Sequence, residues 1–422
     1  MLQPAFLREN RQMAIDALSK RGLDAAHDID QIISLDDRRK SAQFTLDQNL
    51  AEAKKIASEI GMLMKNGERD KAESAKAKTT ELKKYNQELE QELRGIESDL
   101  QKMLATVPNM PHPSVVSGKS SEDNEIIRSW GEIADSDQTT PHWDLTNQYS
   151  LIDFELGVKI TGAGFPVYMG KGAKLQRALI QFFLDQGEAA GYTEVIPPYL
   201  VNADSGFGTG QLPDKDGQMY HATADDLYLI PTGEVPITNI YRDRIIAEDV
   251  LPIKNIGYSP CFRREAGSYG KDVRGLNRLH QFDKVEIVQI EHPDKSYAAL
   301  EQMVSYVENL LQKLELPYRV LRLCGGDMGF TAALTYDLEV YSKGQGRWLE
   351  VSSVSNFETY QANRMKLRIK GTDGKKQVAH TLNGSALALP RIVAALLENN
   401  FDGQKINIPD ALQAYTKFDS IS

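Results

Sequence analysis

The amino-acid sequence predicts an α+β protein, in which a long antiparallel helical hairpin precedes an antiparallel β-sheet flanked by helices. Three observations predict this fold class. Residues 29–104 are rich in helix-forming residues with heptad-like apolar spacing, interrupted by a turn signal at residues 65–67. A proline-rich segment follows at residues 107–113. After it, hairpin patterns dominate, and the regular strand–helix alternation of a parallel sheet is absent.

Length and composition are those of a soluble globular protein. The 422 residues are 41% hydrophobic and 26% charged, which favours two domains with a large core. No apolar run reaches the ~20 residues of a membrane span, and the N-terminus lacks a signal-peptide pattern, so we expect a cytoplasmic protein without membrane contact. Two cysteines and 7 scattered histidines predict neither a disulfide framework nor zinc. The net charge of −10 argues against a general nucleic-acid coat protein, but it does not exclude local basic patches.

The two heptad-like segments predict an antiparallel coiled-coil arm. The apolar stripe of each segment comprises Leu46, Leu50, Ala53, Ala57, Ile60 and Met64 in the first, and Leu82, Tyr85, Leu89, Leu93, Ile96, Leu100 and Met103 in the second. At about 1.5 Å per residue, each helix spans roughly 50 Å. The charged residues on the other faces either solvate the helices, which is the simpler interpretation, or contact a phosphate backbone. We expect an N-terminal domain over residues 1–106, with the arm at about 29–104, and a second domain over residues 107–422.

The second domain is predicted to combine helices with short strands. The stretch from Tyr192 to Val201 has a strand pattern, but Pro197 and Pro198 exclude it from the centre of a sheet. The other predicted strands cover residues 227–230, 256–262, 282–290, 318–322, 336–341, 348–352 and 380–383, the last ending in a turn at Gly384. The predicted helices cover residues 172–188, 296–314 and 386–398.

The most informative stretch is the hairpin from Ser259 to Glu291. A loop with Gly267, Gly270 and Gly275 joins its strands, and the surrounding cations are Arg263, Arg264, Lys271, Arg274 and Arg278. Arginine forks match phosphate and carboxylate oxygens, and so many cations repel one another unless an anion lies among them. For the loop alone, a solvated basic turn is the simpler interpretation. Glu265, and Glu286 inside an apolar strand, favour instead a cleft for a zwitterionic or nucleotide-like ligand.

Three further segments fit such a cleft, although each alone has an ordinary structural explanation. Glu234, after Thr232-Gly233, is either part of a surface turn or a carboxylate for an ammonium group. Glu350 and Ser353 either end a polar strand or offer hard oxygen ligands for Mg²⁺ held partly by phosphates. Arg391 is expected in the first turns of a helix, where the guanidinium and the helix dipole together favour a polyphosphate. The presence of all three in one chain favours an active site.

Together these segments resemble those of bacterial-type seryl-tRNA synthetases, which are class II aminoacyl-tRNA synthetases. The resemblance covers essentially the whole chain in the expected order. Residues 172–198 resemble class II motif 1, residues 262–265 and 282–286 resemble motif 2, and residues 384–391 resemble motif 3. Segments that look specifically seryl cover residues 231–234, 274–275, 280–284, 326–330 and 352–357. The resemblance implies a class II synthetase domain after the coiled-coil arm.

The resemblance also implies roles for individual residues. The implied catalytic residues are Arg263, Glu265 and Arg391. The implied serine-binding residues are Thr232, Gly233, Glu234, Arg263, Glu286, Asn383 and Ser385. The implied ATP-binding residues are Arg263, Arg264, Glu265, Leu279, Phe282, Glu350, Val351, Ser352, Ser353 and Arg391. Among these, Glu350 and Ser353 would ligate Mg²⁺ that arrives with ATP.

The implied activity is serine–tRNA ligation in two steps. L-serine and ATP form seryl-adenylate and pyrophosphate, and serine is then transferred to the 3′ end of tRNA(Ser), with tRNA(Sec) left open as a second substrate. The resemblance implies a homodimer. Two alternatives remain, a tRNA-independent aminoacyl or carrier-protein ligase and a non-catalytic synthetase paralogue. The long arm argues against the first, and the presence of Arg263, Glu265, Glu286 and Arg391 argues against the second.

Overall fold

A computed structural model describes residues 1–133, 139–214, 216–265 and 274–422. The chain divides into two compact units. One comprises Leu2–Ser19 and Leu23–Pro108, and the other comprises Met1, Lys20–Gly22 and Asn109–Ser422. Part of the expected basic loop, including Gly267, Gly270 and Lys271, lies outside the described residues.

The elements are numbered in chain order. The helices are α1 (Pro4–Glu9), α2 (Arg11–Ser19), α3 (Ala26–Lys65), α4 (Arg69–Thr106), α5 (His142–Gln148), α6 (Phe154–Ile160), α7 (Gly170–Ala189), α8 (Ala203–Thr209), α9 (Glu234–Asn239), α10 (Ser296–Lys313), α11 (Tyr360–Arg364), α12 (Leu389–Asn399) and α13 (Asp410–Thr416). The strands are β1 (Glu125–Trp130), β2 (Ile152–Asp153), β3 (Val167–Tyr168), β4 (Thr193–Glu194), β5 (Leu200–Val201), β6 (His221–Ala222), β7 (Leu227–Leu229), β8 (Ile245–Ala247), β9 (Ile253–Phe262), β10 (Gln281–Glu291), β11 (Tyr318–Arg322), β12 (Leu334–Ser342), β13 (Arg347–Asn356), β14 (Arg368–Lys370), β15 (Lys376–Val378), β16 (His380–Ala388), β17 (Ile406–Asn407) and β18 (Ser420–Ile421).

The first unit is built around the hairpin of α3 and α4. These helices have 40 and 38 residues, so each spans roughly 60 Å. In the half away from the turn, the buried cluster comprises Ala42, Leu46, Leu89, Leu93 and Ile96. The predicted stripe is wrong at Leu50, Met64 and Tyr85, which are 49%, 50% and 49% exposed, whereas its member Leu100 is buried. Two paired helices bury only the narrow seam between them, and apolar residues beside that seam stay in water.

The second unit is built on an eight-stranded sheet with the order β1-β11-β12-β13-β16-β10-β9-β4. Neighbouring strands pair antiparallel, except that β4 runs parallel to β9 at one edge. The stretch expected to form an edge strand divides at Pro197 and Pro198 into β4 and β5, which pair in different sheets. The antiparallel sheet and its helices confirm the predicted α+β class. Every helix among the described residues is too short or too polar to cross a membrane.

The main core covers one face of this sheet. α7 buries Leu179 and Phe183 against it, and α10 and α12 contribute further apolar side chains. The sheet side of the core includes Val285 and Ile287 of β10. Since side chains alternate along a strand, the residues between them face the opposite side.

The expected turn at Gly384 is absent, and β16 continues to Ala388. Gly384 lies inside the sheet between Ile287 and Val354. A Cβ at this position would approach the Val354 side chain to 3.1 Å, so glycine permits close strand packing here rather than a turn. The following helix begins at Leu389, and Arg391 lies in its first turn.

Candidate active site

Two adjoining pockets lie on the side of the sheet opposite the core. Lys284 and Glu286 of β10 face these pockets, whereas their neighbours Val285 and Ile287 enter the core. The carboxylate pocket is named for Glu234, Glu286 and Asp337, and the arginine pocket for Arg263, Arg278 and Arg391. The residues that line both pockets are Arg263, Glu265, Arg278, Lys284, Glu350 and Ser385. The two pockets therefore form one cleft.

Glu286 occupies the centre of the carboxylate pocket and is fully buried. Its Oε2 accepts from Lys284 Nζ at 2.5 Å and from Thr232 Oγ1 at 3.1 Å. Its Oε1 accepts from Asn383 Nδ2 at 2.9 Å. These donors offset the cost of burying the carboxylate, and they fix its orientation.

Glu234 is the second buried carboxylate of this pocket, with 7% of its surface exposed. Its Oε1 accepts a hydrogen bond from Gln361 Nε2 at 2.6 Å. Burial raises the pKa of Glu234 to about 7, the charge of Glu286 acts in the same direction, and the hydrogen bond from Gln361 opposes both. The carboxylate therefore changes charge near neutral pH.

The arginine pocket places guanidinium groups beside an aromatic wall. Arg391 Nη1 donates to the Glu350 carbonyl oxygen at 2.7 Å, and its Nε donates to the Asn277 carbonyl oxygen at 3.3 Å. The guanidinium carbon of Arg263 lies 5.2 Å from the centre of the Phe282 ring. The other predicted residues in its lining are Glu265, Leu279, Val351, Ser352 and Ser385. Such a surface suits a planar base and the oxygens of phosphates.

Glu350 and Ser353 both reach the cleft because β13 is irregular. Residues three apart in a regular strand point to opposite faces. The pairing of β13 with β12 shifts between Glu350 and Ser352, which leaves Val351 without a cross-strand partner. This β-bulge lets both Glu350 and Ser353 line the carboxylate pocket.

Asp337 of β12 stands opposite Ser353 in this pocket. Its Oδ1 is buried and has no hydrogen-bond partner among the described residues. Burial raises the pKa of Asp337 well above its usual range, and the charge of Glu350 acts in the same direction. The oxygens of Asp337, Glu350 and Ser353 suit a hard cation such as Mg²⁺. Within the described ranges, no group of three or more His, Cys, Asp or Glu residues could hold a metal, so a ligand would have to complete the coordination shell.

Most of the predicted site residues lie around this cleft, and two do not line it. The Arg264 side chain is exposed, and its backbone N–H donates to the Gln218 carbonyl oxygen at 2.8 Å. Gly233 lies behind the pocket, where a Cβ would stand 3.2 Å from Glu286 Cβ. A Cβ at Gly233 would therefore crowd the glutamate.

Several residues that line or support the cleft were not among the predicted site residues, and Lys284, Asp337 and Gln361 are three of them. Lys284 could have been found from strand alternation, because it lies two positions before Glu286 and so on the same face. Asp337 lies on a strand whose polar positions carried no distinguishing pattern. Gln361 comes from a helix that the sequence did not predict, and its contact with Glu234 joins positions far apart in the chain.

Comparison with known proteins covers both units. The family model described as the seryl-tRNA synthetase N-terminal domain matches residues 1–111. The model described as the tRNA synthetase class II core domain (G, H, P, S and T) matches residues 219–400. A serine–tRNA ligase of Salinibacter ruber is 48% identical over 99% of this chain and 98% of its own. This chain belongs to the seryl-tRNA synthetase family.

Solved structures of seryl-tRNA synthetases superpose on the whole chain. The enzyme of Pyrococcus horikoshii complexed with ATP has a TM-score of 0.92 and 36% identity, covering 100% of this chain and 99% of its own. The cytoplasmic enzyme of Naegleria fowleri in complex with AMP has a TM-score of 0.88 and 25% identity, with the same coverage. These comparisons confirm the predicted family, the class II domain after a helical hairpin, and the enzyme class of serine–tRNA ligase. They favour neither alternative.

Proposed function

We propose that this protein activates L-serine with ATP and transfers the seryl group to the 3′ end of tRNA(Ser). The observation that carries the proposal is the continuity of the cleft. Two buried glutamates, Glu234 and Glu286, stand beside a pocket that contains Arg263 and Arg391. An amino acid and a nucleotide can therefore meet in one space, each facing groups of opposite charge.

In the proposed complex, serine occupies the carboxylate pocket. Glu286 and Glu234 accept from its ammonium and hydroxyl groups, and Ser385 and the Thr232 hydroxyl complete the polar lining. Asn383 acts mainly on Glu286, whose Oε1 it holds by a 2.9 Å hydrogen bond. Alanine in this pocket would leave buried acceptors unpaired, a cost of about 1–3 kcal/mol per group, which favours serine.

ATP occupies the arginine pocket in the same proposal. Phe282 supports the adenine, while Glu265 and the backbone of Leu279 contact its edge. Arg263 lines both pockets, so it is placed to hold the α-phosphate together with the serine carboxylate. Arg391, in the first turn of α12, holds the γ-phosphate.

Glu350 and Ser353 would hold the Mg²⁺ that accompanies ATP, with Asp337 beside them. The fit rests on the oxygen donor set and on the unpartnered Oδ1 of Asp337. When bound, the ion would neutralise phosphate charge and orient the pyrophosphate group.

The residues of the cleft catalyse adenylate formation mainly by positioning. A serine carboxylate oxygen attacks the α-phosphorus, the bond to the bridging oxygen breaks, and pyrophosphate leaves with that electron pair. The attacking carboxylate is already ionised, so this step needs charge neutralisation by Arg263 and Arg391 more than it needs a base. A terminal ribose hydroxyl of the tRNA then attacks the seryl carbonyl carbon and releases AMP.

The helical hairpin serves as the tRNA-binding arm. Adenylate formation alone has no use for two helices of roughly 60 Å, which supports an extended nucleic-acid partner. Replacing tRNA(Ser) by tRNA(Sec) in a charging assay tests whether tRNA(Sec) is a second substrate.

The protein acts as a cytoplasmic homodimer. A subunit interface is supported by exposed apolar side chains near the segment that resembles motif 1, namely Val158, Ile160, Met169 and Ile196.

Shortening the arm separates the two steps. Removal of residues 50–63 and 71–84 deletes two heptads, about 14 residues, from each helix and retains the turn and the seam register. It also retains the buried cluster that contains Leu46 and Leu93. We expect serine-dependent ATP–pyrophosphate exchange to remain within about twofold, while charging of tRNA(Ser) falls by at least tenfold. Full charging by the shortened protein would refute the role of the arm, and absence of exchange in the intact protein would refute the function.

A further inference from the structure

A buried histidine–carboxylate pair lies behind the arginine pocket. His142 begins α5 and Glu398 lies near the end of α12, and both side chains have 0% exposure. Glu398 Oε1 accepts from His142 Nδ1 at 2.7 Å and from the His142 backbone N–H at 2.9 Å. Its Oε2 accepts from the Ser342 hydroxyl and from the Gly344 N–H. One carboxylate thus joins three segments that are distant in the sequence.

The other ring nitrogen of His142 holds a segment of the pocket wall. Its Nε2 accepts from the Leu276 N–H at 2.9 Å. A backbone N–H can only donate, so the ring carries its proton on Nδ1, where Glu398 accepts it. The neighbouring Gly275 has φ +64°, and a Cβ there would lie 2.3 Å from Nε2. The approach of the backbone to the ring therefore requires glycine.

Three further contacts hold the same segment. The Arg274 guanidinium carbon lies 4.5 Å from the centre of a Trp143 ring. Asn277 Nδ2 donates to Gln345 Oε1 at 3.0 Å, and the Asn277 carbonyl oxygen accepts from Arg391. The Oδ1 of Asn277 remains a buried acceptor without a partner among the described residues. Of the residues in these contacts, Asn277 and Arg391 line the arginine pocket.

We propose that His142 and Glu398 are positioning residues for the nucleotide, because they fix residues 274–279 as a preformed wall of the arginine pocket. Leu276, Asn277, Arg278 and Leu279 all line that pocket. Without the pair, ATP would have to order this segment on binding, and its affinity would fall by the free energy of that ordering. The inference rests on the proposed function, in which ATP occupies this pocket.

The test measures KM for ATP and KM for serine in pyrophosphate exchange by two His142 variants. In H142N the side-chain amide still donates toward Glu398, but the acceptor for Leu276 is lost. In H142Q the longer amide brings an acceptor back toward Leu276. We expect H142N to raise KM for ATP about tenfold, with KM for serine within about twofold, and H142Q to recover part of the loss.

A matched control is available in the same unit. His380 is also buried, and its Nδ1 lies 2.8 Å from Ser296 Oγ on the core side of α10. H380N should leave both KM values within about twofold, whatever its effect on stability. Q345A removes, from a partly exposed turn, the acceptor for Asn277 and a donor to Glu398 Oε1 at 3.5 Å, and it should raise KM for ATP about threefold.

The outcomes divide clearly. An unchanged KM for ATP in folded H142N, a parallel rise in KM for serine, or the same shift in H380N would each overturn the inference. If H142N does not fold, Q345A decides, and an unchanged KM for ATP in that variant overturns it as well. Absence of serine-dependent exchange in the unaltered protein would instead refute the proposed function, so the two failures are distinguishable.

Discussion

Replacement of Glu286 by glutamine tests the carboxylate pocket with the least change in shape. E286Q keeps the size of the side chain and can keep the hydrogen bond with Asn383, but it removes the charge that faces Lys284 at 2.5 Å. It also removes the charge proposed to accept the serine ammonium. A hydrogen bond to a charged group contributes about 1.5–3 kcal/mol, which corresponds to roughly 10- to 150-fold in binding.

We therefore expect kcat/KM for serine in pyrophosphate exchange to fall about 100-fold in E286Q. KM for ATP should change less than about threefold, because the candidate groups for the nucleotide remain in place. The protein will also lose stability, since Lys284 is left buried beside a neutral partner. Thermal unfolding, recorded beside the kinetics, separates this effect from the effect on serine.

E308Q is the matched control. Glu308 is a second nearly buried carboxylate, which accepts from Arg128 at 2.9 and 2.8 Å on α10, away from the cleft. Its replacement should lower stability without changing KM for serine. A folded E286Q with KM and kcat for serine near those of the unaltered protein would refute the assignment of Glu286, as would an equal kinetic defect in E308Q.

Three further predictions follow from the cleft. Because burial raises the pKa of Glu234 to about 7, kcat/KM for serine should rise about tenfold per pH unit below that value and level off above it, and E234Q should lack this limb. The folded-state pKa of Glu234 exceeds its ordinary value of 4.5, so as pH rises the unfolded chain releases this proton before the folded protein does. Calorimetry should therefore show that the unaltered protein loses stability relative to E234Q as pH rises from about 4.5 to about 7. Q361A removes a hydrogen bond that lowers this pKa, so the midpoint of the limb should move to higher pH, and an unmoved midpoint would exclude the contact. R391A should raise KM for ATP at least tenfold with little effect on KM for serine, whereas R319A, which removes a guanidinium paired with Glu339 outside the cleft, should change neither.

Local patterns in the sequence accounted for much of the fold. Heptad spacing and the turn near residue 66 predicted the hairpin that the structure has at Ala26–Lys65 and Arg69–Thr106. Enrichment in β-branched residues predicted β10, and Glu286 inside this apolar strand indicated a polar cleft, which lies away from the core that holds Val285 and Ile287. These features depend on neighbouring residues only, so a single chain reveals them.

Features that depend on pairing between distant strands could not be predicted in this way. The bulge that lets Glu350 and Ser353 share a face arises from the register of β13 against β12. Gly384 was predicted to form a turn because glycine interrupts local patterns. Glycine is needed there instead because the side chain of Val354 on the adjacent strand leaves little room for a Cβ. Likewise, nothing near His142 indicates that its partner is Glu398.

The amino-acid dependence of ATP–pyrophosphate exchange shows whether this cleft activates serine. The purified protein, with ATP and magnesium, should support exchange with L-serine, and kcat/KM should fall by at least 100-fold with alanine, which leaves the buried acceptors of the carboxylate pocket unpaired. Exchange that is as efficient with alanine as with serine, or that requires neither, would contradict the assignment of this cleft to serine activation.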